Sequence, residues 1–231
     1  MLFRSGSIRD DIEELLPSDV KRVSPSDVPP DLSIAVDVCV FPLEEKRERL
    51  RAVWRSLPSS ATLLSCSLCS TVTEIASWNE RPEKVAGFGY VGPLADTGLV
   101  EIAAGLKSDA GSVREAESFF KLLGKETELV QDSAGLVLPR ILSLIINEAV
   151  WALSEGLATR EGIDLAMKLG THYPYGPLEW GDRIGLDLVE QILDAIGREQ
   201  NEDRYRPAPL LKKMVLAGWL GQRTRRGFYE Y

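Results

Sequence analysis

Histidine occurs once in the 231 residues, as His172, and cysteine three times. A single histidine excludes zinc sets that need two, and it leaves any histidine-based general base to His172 or to a partner. Three cysteines, an odd number, do not make a disulfide framework. Positive charge is also short: 27 Lys and Arg stand against 35 Asp and Glu, a net charge of −8. A nucleic-acid partner would want a basic face and is not expected. No run of 18 apolar residues exists. The densest stretch, 136–153, is interrupted by Pro139, Arg140, Asn147 and Glu148, so it reads as a buried helix and not as a membrane span. The opening MLFRSGSIRDD lacks the apolar core of a secretory leader, which makes the cytoplasm the expected location.

Apolar residues make up 44% and charged residues 27%, a globular balance that argues against disorder. Charge is uneven. Residues 1–133 carry 15 basic and 22 acidic side chains, residues 134–231 carry 12 and 13. The segment Asp203–Tyr231 is locally basic, with seven Lys/Arg and two acids, and a solvated surface accounts for it.

The first part alternates strand-like and helix-like segments. Strands are expected at Leu32–Phe41, Ala61–Ser67, Lys84–Tyr90, Leu99–Ala103 and Thr127–Val130, where Val, Ile and other apolar residues run together. Helices are expected at Leu43–Leu57, Thr71–Trp78 and Val113–Leu123, the last closed by Gly124. That rhythm predicts an α/β layer with a mostly parallel sheet. From Ser133 onward the pattern predicts helices only: a long spine over Ser133–Ala158, then Arg160–Leu169 between Thr159 and Gly170, Leu186–Gly197 and Pro209–Ala217. Pro174 and Pro177 bracket a loop. The expected domains are 1–132 and 133–231. Before Leu32 the reading is sparse: a strand stub at Met1–Phe3, a helix over Ser7–Leu16, and a proline-rich loop.

Several local motifs invite chemistry. Gly87-Phe-Gly-Tyr-Val-Gly92 matches G-x-G-x-x-G, but Pro93 and a strand-like segment follow where a phosphate-binding helix start is needed. Cys66-Ser-Leu-Cys69 is C-x-x-C at a strand-to-helix turn, compatible with a redox dithiol or with two small buried residues. His172 lies in a turn-rich loop with no nucleophile tied to it. The run Glu44–Arg51 reads as a solvated helix face.

The second half is more specific. Asn147-Glu-Ala149, Glu155-Gly-Leu-Ala158, Ile163-Asp-Leu-Ala-Met167, Gly170, Pro174-Tyr-Gly-Pro-Leu-Glu179, Asp182-Arg-Ile-Gly-Leu-Asp187, Pro209-Leu-Leu211 and the ending Gly221–Tyr231 resemble, in order, the C-terminal domain of the 3-hydroxyacyl-CoA dehydrogenase family. Val36-Asp-Val-Cys-Val40 through Lys46, Val72–Ala76, Arg81–Val85 and Leu99–Ile102 resemble that family's dinucleotide-binding domain. The resemblance implies an abridged Rossmann-like parallel-sheet domain followed by a helical dimerisation domain, a homodimer through the latter, NAD as cofactor and an acyl-CoA as ligand.

In that family a histidine takes the proton from the 3-hydroxyl while NAD accepts hydride, a glutamate polarises the histidine, and a serine and an asparagine hold substrate oxygens. Carried over position by position, the histidine falls on Gly89, the serine on Leu68 with Ser67 beside it, and the asparagine on Pro139. The glutamate is kept as Glu101, the arginine following the asparagine as Arg140, and a cofactor-side lysine as Lys46. The glycine-rich loop belongs before residue 32, where only Gly6 occurs. The resemblance therefore implies weak or lost NAD binding, a Glu101 carboxylate left unpaired, and an impaired binding or regulatory homologue inactive in the family reaction. Two alternatives stand beside it: an oxidoreductase whose site is rebuilt around His172 or Cys69, and a structural dimerisation partner of a full-length enzyme.

Overall fold

The structure is a computed structural model, and it describes residues 12–18 and 28–231. The Met1–Phe3 strand lies outside those residues. So does most of the Ser7–Leu16 helix, of which 12–15 are described and helical. The chain divides into two compact units, one ending at Val137 and the other spanning Leu138–Tyr231.

The first unit holds a five-stranded sheet in the order β1 (Ile34–Asp37), β2 (Thr62–Cys66), β3 (Val85–Gly89), β4 (Leu99–Ala104), β5 (Glu126–Val130). Three of its pairings are parallel, and β3–β4 is antiparallel. Connection length explains the difference. Parallel neighbours need a crossover, supplied by α1 (Leu43–Trp54), α2 (Val72–Ser77) and α3 (Ala110–Leu122), whereas only a short loop joins β3 to β4. Strands β2 and β3 are buried along their whole length; the polar residues in β2 are Thr62 and Ser65, small and hydrogen-bonded. Helix α2 starts where the Thr71 hydroxyl accepts from the Glu74 amide, and α3 where Asp109 accepts from the Ser112 amide. The Phe120 ring of α3 packs on Phe88 of β3 with centroids 5.0 Å apart.

The second unit is helical: α4 (Leu138–Ser154), α5 (Arg160–Thr171), α6 (Pro177–Ile184), α7 (Leu186–Gln200) and α8 (Pro209–Leu216). Three buried polar side chains tie these helices and the tail together. Asp164 on α5 accepts from the Leu178 and Glu179 amides, capping α6, whose own N-cap residue, Gly176, has no side chain. A Cβ at position 176 would stand 2.2 Å from the Asp164 Cβ, so the close approach requires glycine. Asp182 on α6 accepts from the Phe228 and Tyr229 amides, both at 2.9 Å. Asn147 on α4 donates to the Arg206 carbonyl and accepts from the Ala208 amide. Each polar group is buried and satisfied at once.

Four expectations need correction. The long helix begins at Leu138 and not at Ser133, because Gly135 (φ 79°) and Leu136 (φ 49°) are left-handed and break any helix across them. It stops at Ser154, just before Gly156 (φ 72°). Helix α5 runs through Gly170 and is closed by His172 at φ 57°. Pro177 opens a helix instead of closing a loop; proline suits the first helical position, where no intrahelical amide donor is needed. The run 44–51 is not wholly solvated either: Lys46 within it is 0% exposed.

The tail carries a pH prediction. Burial, reinforced by the hydrogen bond to Asp164, holds the Tyr229 hydroxyl above the usual phenol range; burial and the Asp182 charge do the same for Tyr231. Both pKa values are raised on folding, so their stabilisation is present below the unfolded phenol value of about 10 and is lost as pH rises beyond it. The helical unit should therefore lose stability above about pH 10, and Tyr229→Phe should flatten that loss. Denaturation midpoints measured across the alkaline range check this; an unchanged slope in Tyr229→Phe would count against it.

Candidate functional site

The carboxylate of Glu101 lies on β4 at a buried position, 5% exposed. Its direct cross-strand neighbour is Gly89 on β3. Opposed residues of an antiparallel pair share a face, so a side chain at position 89 would stand beside Glu101. That volume is filled. A Cβ on Gly89 would lie 2.6 Å from Leu136 Cδ1 and 2.7 Å from Leu68 Cδ2. Both leucines are buried, at 3% and 0% exposure, which limits their room to give way. Glu101 is not left unpaired, contrary to the expectation: its Oε2 accepts from the Val137 amide at 2.8 Å. The Gly135 amide donates to the Leu68 carbonyl at 2.9 Å, so the turn at 134–137 is fastened at two points.

Ser67 takes no part in this corner. Its hydroxyl faces the Phe88 carbonyl at 3.4 Å and stands 2.7 Å from where a Cβ on Gly87 would be. Gly87 and Gly89 belong to the buried strand β3 and not to a loop, so the literal G-x-G-x-x-G match forms no phosphate cradle at those glycines. The two C-x-x-C cysteines are buried and not joined in a disulfide, and burial pushes the Cys66 thiol up to about 12. That is the reverse of what a redox thiolate needs. His172 is exposed at the end of α5. Among the described residues, no group of three or more His, Cys, Asp or Glu could hold a metal ion, and no helix is long and apolar enough to cross a membrane.

Lys46 is 0% exposed and meets protein oxygens. Its ammonium, on α1, lies 2.8 Å from Asp37 Oδ2 and donates to the carbonyls of Cys39 and Cys66, each at 2.6 Å. An ammonium has three hydrogens, and these three acceptors take them all. Asp37 also accepts from Ser65 Oγ (2.7 Å) and the Cys39 amide (3.1 Å). Lys46 thus fastens the ends of β1 and β2. Arg140 belongs to the helical unit, where it donates to Tyr205 Oη at 2.6 Å with its guanidinium 5.0 Å from that ring. Of the four candidates, only Glu101 lies at the Leu68–Gly89–Leu136 corner. Leu136 was missed, since nothing in a Gly-Leu pair announces a leucine with positive φ.

Comparison with known proteins bears on the same residues. Residues 19–133 match the 3-hydroxyacyl-CoA dehydrogenase NAD binding domain, and residues 135–231 match the 3-hydroxyacyl-CoA dehydrogenase C-terminal domain. A 3-hydroxybutyryl-CoA dehydrogenase of Bradyrhizobium diazoefficiens is 37% identical over 201 residues, spanning 87% of this chain and 69% of the relative. The chain belongs to the 3-hydroxyacyl-CoA dehydrogenase family. A probable 3-hydroxybutyryl-CoA dehydrogenase of Bacillus subtilis is 36% identical over 86% of this chain and 69% of its own length. Among solved structures of similar fold is FadB2 of M. tuberculosis (TM-score 0.81, 30% identity, 87% of this chain and 72% of that one). Another is the (S)-3-hydroxybutyryl-CoA dehydrogenase PaaH1 of Ralstonia eutropha (TM-score 0.77, 34% identity, 86% and 70%). Family membership accounts for the Rossmann-like sheet unit and the helical unit that follows it.

Proposed function

We propose that this chain is a catalytically impaired member of the 3-hydroxyacyl-CoA dehydrogenase family, keeping the fold as a binding or regulatory homologue. One observation carries the reading: two leucine methyls fill the place beside Glu101 where a proton-accepting side chain at position 89 would stand. Glycine has no group to take a proton, and loss of a general base costs roughly 10²–10⁴ in rate. Leucine at 68 and proline at 139 offer no side-chain hydrogen bond for substrate oxygens. In this reading residues 1–132 are the degenerate nucleotide-binding domain and 133–231 the helical dimerisation domain. NAD is bound weakly or not at all, consistent with Lys46 being committed to protein oxygens. An acyl-CoA remains the ligand class, and sedimentation reports directly whether the helical domain brings two copies together.

The test is turnover of acetoacetyl-CoA with NADH, alongside NADH titration by calorimetry. The expected result is no turnover above background and weak or absent NADH binding. Measurable turnover that disappears in Glu101→Gln would overturn the reading, because Glu101 would then be polarising a base supplied by some other residue.

A further inference from the structure

Leu136 combines three features. Its backbone is left-handed at φ 49°, a conformation that costs a branched residue about 1–2 kcal/mol. Its side chain is 3% exposed and supplies the methyl nearest to where a Cβ on Gly89 would be. The next residue's amide, at Val137, is held by the Glu101 carboxylate, and the preceding one, at Gly135, by the Leu68 carbonyl. A strained turn persists only where its surroundings over-determine it. Here the two amide contacts on either side of Leu136 supply that determination.

We infer that Leu136 is a strained plug, that Glu101 is the positioning residue holding it in place, and that Leu68, Gly89 and Leu136 form one interdependent set closing the pocket beside Glu101. The inference rests on the reading of this corner as the family's site, but it concerns what keeps the corner shut and not whether turnover occurs. Closure is a contact of the chain with itself. A side chain at 89 competes for one volume with the leucines at 68 and 136, so it enters only as their methyls give way. Glu101 then serves two arrangements. With the plug in, its carboxylate fastens the turn. With the plug reduced, the same carboxylate faces whatever hydrogen-bond donor enters beside β3.

The consequence is a sign reversal in the effect of truncating Leu136, the mark of two positions that share one volume. Gly89→His should lower the melting temperature of the sheet unit by roughly 5 °C or more, as overpacking a buried corner does. Leu136→Ala should lower it as well, by leaving a cavity. The double variant should melt above Gly89→His alone, although it carries one more truncation. Gly89→Ala with and without Leu136→Ala repeats the cycle at smaller amplitude and decides the matter if Gly89→His does not fold. Additive losses in these cycles would overturn the inference. A second readout is the titration, by NMR, of the imidazole introduced at position 89 in the double variant. Beside Glu101 it should titrate above the usual value of about 6.5, and Glu101→Gln should bring it back. An imidazole indifferent to Glu101→Gln would place the carboxylate elsewhere. Turnover by the unaltered chain would sink the proposed function but leave this coupling standing, so the two failures are distinguishable.

Discussion

Asp182→Ala should destabilise the helical unit by about 3–5 kcal/mol, the range in which removing one member of a buried charge-bearing network falls. Asp182 is 1% exposed, and its two oxygens accept from the Phe228 amide, the Tyr229 amide and, at 3.2 Å, the Tyr231 hydroxyl. Alanine would leave all three donors facing a cavity. The tail has closed tightly on this carboxylate: a Cβ at Gly227 would lie 1.9 Å from Asp182 Oδ1, and one at Gly221 would lie 2.2 Å from the Asp182 carbonyl oxygen. The tail would relieve its orphaned amides by peeling away into water, at the expense of exposing Phe228, now 4% exposed. Chemical denaturation and limited proteolysis of the C-terminal segment read the two halves of that exchange. Glu230→Ala, on an exposed residue of the same tail, is the control and should stay within about 0.5 kcal/mol. A loss below about 1 kcal/mol in Asp182→Ala would mean that packing, and not this clamp, holds the tail.

That arrangement explains why the helical half was readable as a family pattern. Asp164 and Asp182 each accept two backbone amides from inside a core, Asn147 accepts one amide and donates to a carbonyl there, and Gly176, Gly221 and Gly227 allow close approach without a Cβ. Such requirements leave sharp motifs. The inner strands β2 and β3 were readable for a plainer reason, since strands buried on both faces are rich in apolar residues. The failures share a cause as well. Leu136 and His172 adopt positive φ without being glycine, so only Gly135 hinted at the start of α4 and nothing local marked the end of α5. Pro177 is equally at home in a loop and at the first turn of a helix, and only the distant Asp164 decides which.

The site was readable in part. Gly89, Leu68 and Glu101 were assigned by resemblance, and the register β3–β4 sets Gly89 opposite Glu101. What filled the space was not readable, because packing between segments as far apart as 68, 89 and 136 leaves no trace in local spacing. Lys46 is the opposite case. Its burial was available in the sequence: 46, 50 and 54 lie four apart, and Leu50 and Trp54 form the apolar stripe of α1. A lysine on that stripe needs a buried partner, and Asp37 at the end of β1 provides it.

Lys46→Met should therefore behave as a core lesion and not as a cofactor lesion. Methionine approximates the length of the stem but brings no charge, so Asp37 would keep only Ser65 and the Cys39 amide against burial of its carboxylate. The carbonyls of Cys39 and Cys66 would lose the ammonium as donor. Breaking a buried pair by removing one partner costs about 3–5 kcal/mol, chiefly because the remaining charge is stranded. It follows that Lys46→Met combined with Asp37→Asn should be more stable than Lys46→Met alone, with a coupling of about 0.5–3 kcal/mol. The double variant should still fall short of the unaltered protein, since the two carbonyls stay without their donor. Urea denaturation of the four proteins completes the cycle. The outcome against this account is specific: Lys46→Met of near-native stability whose NADH binding is weakened. The ammonium would then be spending its hydrogens on a nucleotide, and the role first expected of Lys46 would stand.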